Sequence, residues 1–109
     1  MADRYWVGGA GTWDATTTTN WSATSGGAAG ASAPTSADNV IFNTLSNLTA
    51  YAVTIGLTAS PATCLDVSIS GPAVGNVTIT SAATSVINVH GSWLNAATGV
   101  AFASTTGCN

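Results

Sequence analysis

Five short runs of alternating apolar residues set what this chain can fold into. They are Ala52-Val53-Thr54-Ile55, Leu65-Asp66-Val67-Ser68-Ile69, Val77-Thr78-Ile79, Val86-Ile87-Asn88-Val89 and Val100-Ala101-Phe102. Each run puts apolar side chains two positions apart, which places them on one face of a strand. Turn formers separate the runs: Gly56, Gly71-Pro72, Gly75-Asn76, residues 81–85 and Gly91. The runs recur roughly every 10 to 14 residues, the spacing expected of an all-β sandwich, barrel or solenoid. No Asn-Gly hairpin turn links one run to the next. Strands this short, each with a single apolar face, complete a core only by stacking on neighbours. The expected fold is therefore all-β, a short-strand β-solenoid-like stack. A small antiparallel β-sandwich is the alternative, because its strands show the same alternation. No window carries apolar residues at helical spacing with caps, so almost no helix is expected.

At 109 residues the chain is long enough for one domain. Only 5% of it is charged, against about 25% in an ordinary soluble domain. The charged residues are Asp3, Arg4, Asp14, Asp38 and Asp66. A net charge of −3 with a single Arg excludes a phosphate-backbone partner, so no nucleic acid is expected. So few charges do little to prevent self-association. Either partners cover much of the surface, or Thr, Ser and Asn alone keep it soluble. No run reaches the roughly 18 apolar residues of a membrane-spanning helix. The start MADRYWV lacks the basic and apolar regions of a secretory signal. The expectation is a protein made in a cytoplasm, with no membrane partner, whose Cys64 and Cys108 are free thiols. The sequons at Asn20, Asn47 and Asn76 carry no weight without a secretory route.

Two segments follow from the change in composition. Residues 1–43 are rich in Trp and Gly. Arg4 to Val7 reads as a short strand broken by Gly8-Gly9-Ala10-Gly11, and Thr12-Trp13-Asp14 as a second. Residues 16–21 are β-branched and suit a strand or an extended loop. Residues 25–36 form a loop, Ala37-Asp38-Asn39 a turn, and Val40-Ile41-Phe42 a compact strand. Residues 44–109 hold the stacked runs. Nothing bulky or charged follows Val100-Ala101-Phe102, an uncapped last run that invites edge pairing. This points to a covering partner or to a gene product continuing beyond Asn109.

Catalysis needs convergent polar groups, and few are present. His90 is the only histidine and sits where a run ends, as a turn or surface residue does. No nucleophile elbow, phosphate loop or dinucleotide fingerprint occurs, and the four Asp residues lie in no glycosidase motif. An enzyme is not expected, nor a cofactor. Asp14, Asp38 and Asn39 offer oxygen ligands for calcium, but Asp and Asn more often form turns, so no metal is expected. Trp6, Trp13 and Trp21 suit either a contact surface for carbohydrate or protein, or a mini-core for a segment with little else to bury. Trp93 is expected against the side of the stack or a neighbouring copy.

The chain's opening carries a family likeness. Trp6-Val7-Gly8-Gly9-Ala10-Gly11-Thr12-Trp13-Asp14, then Asn20-Trp21-Ser22, then Pro34 and Asp38-Asn39-Val40-Ile41-Phe42, resembles the Trp/Gly-rich first repeat of autotransporter-passenger-like and phage-encoded β-helical virion surface proteins. Residues 65–71 and 89–94 are similar to the rungs that follow in such proteins. The short signal-free start is more like the phage context. The resemblance implies a non-enzymatic structural protein of a tailed-phage virion: a capsid decoration, a head fibre, or the N-terminal anchor of a tail fibre. It would assemble in the host cytoplasm and dock onto other virion proteins as a homo-oligomer, a trimer in the first instance. The expected docking residues are Arg4, Tyr5, Trp6, Trp13, Asp14, Asn20 and Trp21. The alternative is a bacterial surface adhesin or glycan-binding module.

Overall fold

Among the described residues no strand is longer than five residues, so the fold depends on how strands stack rather than on any one of them. The computed structural model describes residues 2–47, 49–56, 61–70, 77–81, 86–95 and 101–104. Among these lie β1 (Asp3–Trp6), β2 (Gly11–Trp13), β3 (Trp21–Ser22), β4 (Asn39–Phe42), β5 (Tyr51–Ile55) and β6 (Ala62–Cys64). They continue as β7 (Val67–Ile69), β8 (Val77–Ser81), β9 (Ile87–Val89), β10 (Trp93–Asn95) and β11 (Ala101–Ser104). No helix occurs among the described residues, and the fold is all-β.

Strands pair with the third strand along. One sheet runs β10-β7-β4-β1-β3, a second β11-β8-β5-β2, and a third β6-β9. Among the described residues seven of the eight pairings are parallel, and only β1 with β3 is antiparallel. Tyr51 faces Val77 and Val67 faces Trp93, both steps of 26 residues (77 − 51 and 93 − 67). The first step is longer, from Asp3 to Asn39, because residues 14–38 add a loop that carries β3.

The period-two pattern decides what faces inward. In β5, Tyr51, Val53 and Ile55 are buried while Ala52 and Thr54 are exposed. Register then stacks like on like: Val40 on Val67, Phe42 on Ile69, Val53 on Ile79, and Cys64 on Val89. Residues 1–43 and the later strands share these sheets and one core cluster. Trp6, Trp13, Trp21 and Phe42 gather in the first part of that core, while Tyr51 is a buried aromatic among the later strands.

The aromatic end is a plug. Trp6, Trp13, Trp21 and Phe42 are all fully buried. Trp6 meets Trp21 edge-on at 5.0 Å between ring centroids, Trp13 meets Trp21 at 5.8 Å, and Phe42 lies 5.6 Å from Trp6. Such pairs add about 0.5–1.5 kcal/mol each beyond the area they bury. The plug depends on backbone turns. Gly9 (φ 77) bends the chain after β1 so that its carbonyl accepts the Trp6 Nε1 proton at 2.6 Å. Asn20 staples the return: its Nδ2 donates to Val7 O at 2.7 Å, and Val7 N donates to Asn20 O at 2.8 Å. A Cβ at Gly11 would collide with Asn20 Oδ1, which fixes glycine there. The three Trp residues therefore occupy the place of the mini-core.

Boundaries differ from the sequence reading in ways the hydrogen bonds explain. Asp14 leaves β2 because its carboxylate binds the turn that follows. Residues 16–20 are not strand, and only Trp21 continues into β3. Asn39 opens β4, since its amide donates to Ala2 O at 2.8 Å. Leu65 and Asp66 precede β7 rather than belonging to it. β6 and β10 carry no run that the alternation identified. The expected turns at residues 71–76 and 82–85, Val100, and the chain end at 105–109 with Cys108 lie outside the described residues.

Phe42→Ala opens a cavity inside the plug and should cost about 3–5 kcal/mol in urea unfolding. Leu45→Ala removes a side chain that is 56% exposed and should stay within about 0.5 kcal/mol. Equal losses for the two would contradict this core.

Candidate functional site

The seven residues expected to dock fall into two groups. Trp6, Trp13 and Trp21 are fully buried and Asn20 is 5% exposed, so in this structure their side chains offer a partner no surface. Arg4, Tyr5 and Asp14 are half-buried at the same end and keep part of their surface. Arg4 is already engaged: its Nε donates to Ser32 O at 2.9 Å, Nη2 to Ser32 Oγ at 2.8 Å, and Nη1 to Asp3 O at 3.1 Å. It ties the long loop down across β1.

The acidic residues named as calcium ligands serve turns. Asp14 Oδ1 accepts from Thr16 N at 2.9 Å and Thr17 N at 2.6 Å, and Oδ2 from Thr17 Oγ1 at 2.9 Å. Asp38 accepts from Thr35 N at 2.9 Å, Thr35 Oγ1 at 3.1 Å and Ala2 N at 3.3 Å. Burial pushes both carboxyls up, but hydrogen bonds to the ionised form outweigh it and hold both below the ordinary value of 3.8. At Asp38 the charge of Arg4 adds to this. Among the described residues no three His, Cys, Asp or Glu side chains gather as a metal set.

The nucleophiles are poorly placed for chemistry. Burial, with the nearby Asp66 charge, pushes the Cys64 thiol up to about 12, which leaves it protonated and inert near neutrality. His90 is exposed, and its backbone N donates to Cys64 O at 3.0 Å. No described helix is long and apolar enough to cross a membrane.

A surface feature that the motif search missed lies on the outer side of the first sheet. A depression of about 340 Å³ is lined by Asp3, Asn39, Val40, Ile41, Asp66 and Ser68. Register builds it. Asp3 faces Asn39, and Val40 faces Val67, which sets Asp66 beside Asn39. The next residue facing outward in each strand adds Tyr5, Ile41, Ser68 and Leu94 as a second row. Asn39 Nδ2 donates to Asp3 Oδ1 at 3.0 Å, and Asp66 Oδ1 accepts from Ser92 N at 2.7 Å. Asn39 Oδ1 is left buried without a partner. The sequence did hold the signal: a short polar residue stands one place ahead of each inward position, in Asp3-Arg4, Asn39-Val40, Asp66-Val67 and Ser92-Trp93. Only the register brings these residues into one row.

The chain was compared with protein-family models, with curated proteins and with solved structures, and none of the three gives a match.

The lowered Asp14 and Asp38 carboxyls fix a pH dependence. Their stabilisation is fully present above the unfolded value of about 3.9 and is lost as pH falls through the lower folded values. The melting temperature should therefore hold from pH 7 to about 4 and then fall. Asp38→Asn should flatten that acid limb. An unchanged acid limb in the variant would contradict the turn geometry.

Proposed function

We propose that this chain is a short-strand β-solenoid serving as a non-enzymatic structural protein of a tailed-phage virion. In this reading it decorates the capsid, forms a head fibre or anchors a tail fibre, and it acts by docking to other virion proteins as a homo-oligomer, with a trimer as the first expectation. The observation that carries the reading is the parallel pairing of every third strand, in steps of 23 to 27 residues (101 − 78 to 67 − 40) once the first long step is past. Hairpin-built sandwiches pair successive strands antiparallel. Rungs stacked in register add length and present long repetitive faces, which suits a particle appendage.

Two further observations support it. The Trp/Gly-rich opening that resembles phage β-helical proteins folds as a plug closing one end of the stack. The described polar groups at that end are spent on turns and staples rather than converging on a reacting centre. The adhesin or glycan-binding alternative loses its best platforms, because stacking on a sugar needs an exposed aromatic face and Trp6, Trp13 and Trp21 have none. Docking through this end then falls to Arg4, Tyr5, Asp14 and the first sheet's outer side.

Quantitative mass spectrometry of density-purified particles tests the assignment. The chain should be present at a fixed copy number, either near that of the major capsid protein or a small multiple of three. Its absence from particles would overturn the reading.

A further inference from the structure

We infer that the depression over β1, β4 and β7 is the docking point for an arginine side chain presented by a partner protein. The inference rests on the docking reading above and names the chemistry of the contact. Its basis is the inventory of groups on this face. Asp3 and Asp66 flank Asn39 on adjacent strands, and Val40 and Ile41 line the same depression. Carboxylates accept only. The Asn39 amide can offer Asp3 only its NH₂ end, as it does at 3.0 Å, so its oxygen is the end left over. Apart from the Ser68 hydroxyl and the second Asn39 Nδ2 proton, what remains unpaired in the lining side chains is a set of acceptors, chiefly the remaining oxygens of Asp3 and Asp66.

The chain cannot supply the missing donor. It has one Lys or Arg against four acids, and that Arg4 guanidinium is held by Ser32 and by Asp3 O. The complementary group must be cationic, rich in donors and brought from outside. Distance selects among the candidates. Two strand steps put Asp3 and Asp66 about 9.5 Å apart at the backbone. A guanidinium with a charge-assisted bond of about 2.8 Å on each side spans about 8 Å between carboxylate oxygens. Two oxygens on one calcium ion lie only about 5 Å apart, and an ammonium spans little more. A sugar hydroxyl can donate to a carboxylate, but it brings no positive charge to set against Asp3 and Asp66. The outward Ile41, with Tyr5 beside it on β1, suits the flat face and methylene stem of arginine.

The test is a two-dimensional amide NMR titration of the full chain with the capped peptide acetyl-Gly-Arg-Gly-amide. Its citrulline counterpart, calcium chloride and maltotriose serve as comparisons. The arginine peptide should shift the Asn39, Ile41, Asp66 and Ser68 amides saturably, and citrulline should not. Asp3→Asn and Asp66→Asn keep an acceptor oxygen for Asn39 Nδ2 and Ser92 N, so both should fold, with unchanged spectra elsewhere. Each should weaken the arginine response about tenfold. No saturable shift, an equal response to citrulline, or a stronger one to calcium or maltotriose would overturn the inference. Particles separate it from the docking reading. An Asp66→Asn chain that still joins them at the wild-type copy number removes this face from docking and leaves the assignment standing. A wild-type chain absent from particles removes the assignment and leaves the arginine result untouched.

Discussion

A parallel ladder of strands has a first strand, and the outer edge of that strand must be closed. Everything else in this structure depends on how the chain does so. Between β2 and β4 it inserts a loop that returns Trp21 antiparallel to Trp6, so that β1 gains a partner on its open side. The same turn drives three indole rings and Phe42 together with no solvent exposure. Edge pairing and core filling are thus one event. The aliphatic side chains stacked behind the plug, Val40 on Val67 and Val53 on Ile79, are small. The large aromatic burial sits where a stack has fewest neighbours and most needs it. The cost is visible in the Trp13 and Trp21 Nε1 groups, which are buried without partners. Each such donor costs about 1–3 kcal/mol, well below what burying a Trp contributes.

With the end closed, the alternation along each strand sorts the rest. In β5 and β7 the inward positions go to Tyr51, Val53, Ile55, Val67 and Ile69, and the outward ones to Ala52, Thr54 and Ser68. A chain with so few charges keeps its surface with hydroxyls and amides, and assigns its carboxylates individually. Asp14 and Asp38 close turns. Asp3 and Asp66 stand on the outer face of the first sheet. That division gives one face an unmet need for donors while the plugged end stays internally satisfied at Arg4.

Much of this was legible in the sequence because period-two runs are a local signal. Val53, Val67, Ile69, Val77 and Ile79 all fall inward as their alternation demands. The two readings of the Trp residues could not be separated locally, because burial of Trp6, Trp13 and Trp21 depends on a staple from Asn20 across 13 residues. β6 was invisible because Ala62 and Cys64 are small, and only the fold brings them into the common core and pairs them with β9. The row formed by Asp3, Asn39 and Asp66 was hidden for the same reason, since 36 residues separate Asp3 from Asn39 and only register reunites them.

The fold rests on parallel pairing of every third strand, in register, behind the plug. Nuclear Overhauser contacts in the isotope-labelled chain test it most directly. Interstrand amide contacts should link Val40 with Val67 and Val53 with Ile79, and strong facing Hα–Hα contacts should be confined to β1 and β3. Strong Hα–Hα contacts between successive strands such as β4 and β5 would mean a hairpin-built sandwich, and would contradict the stack and the groove it forms.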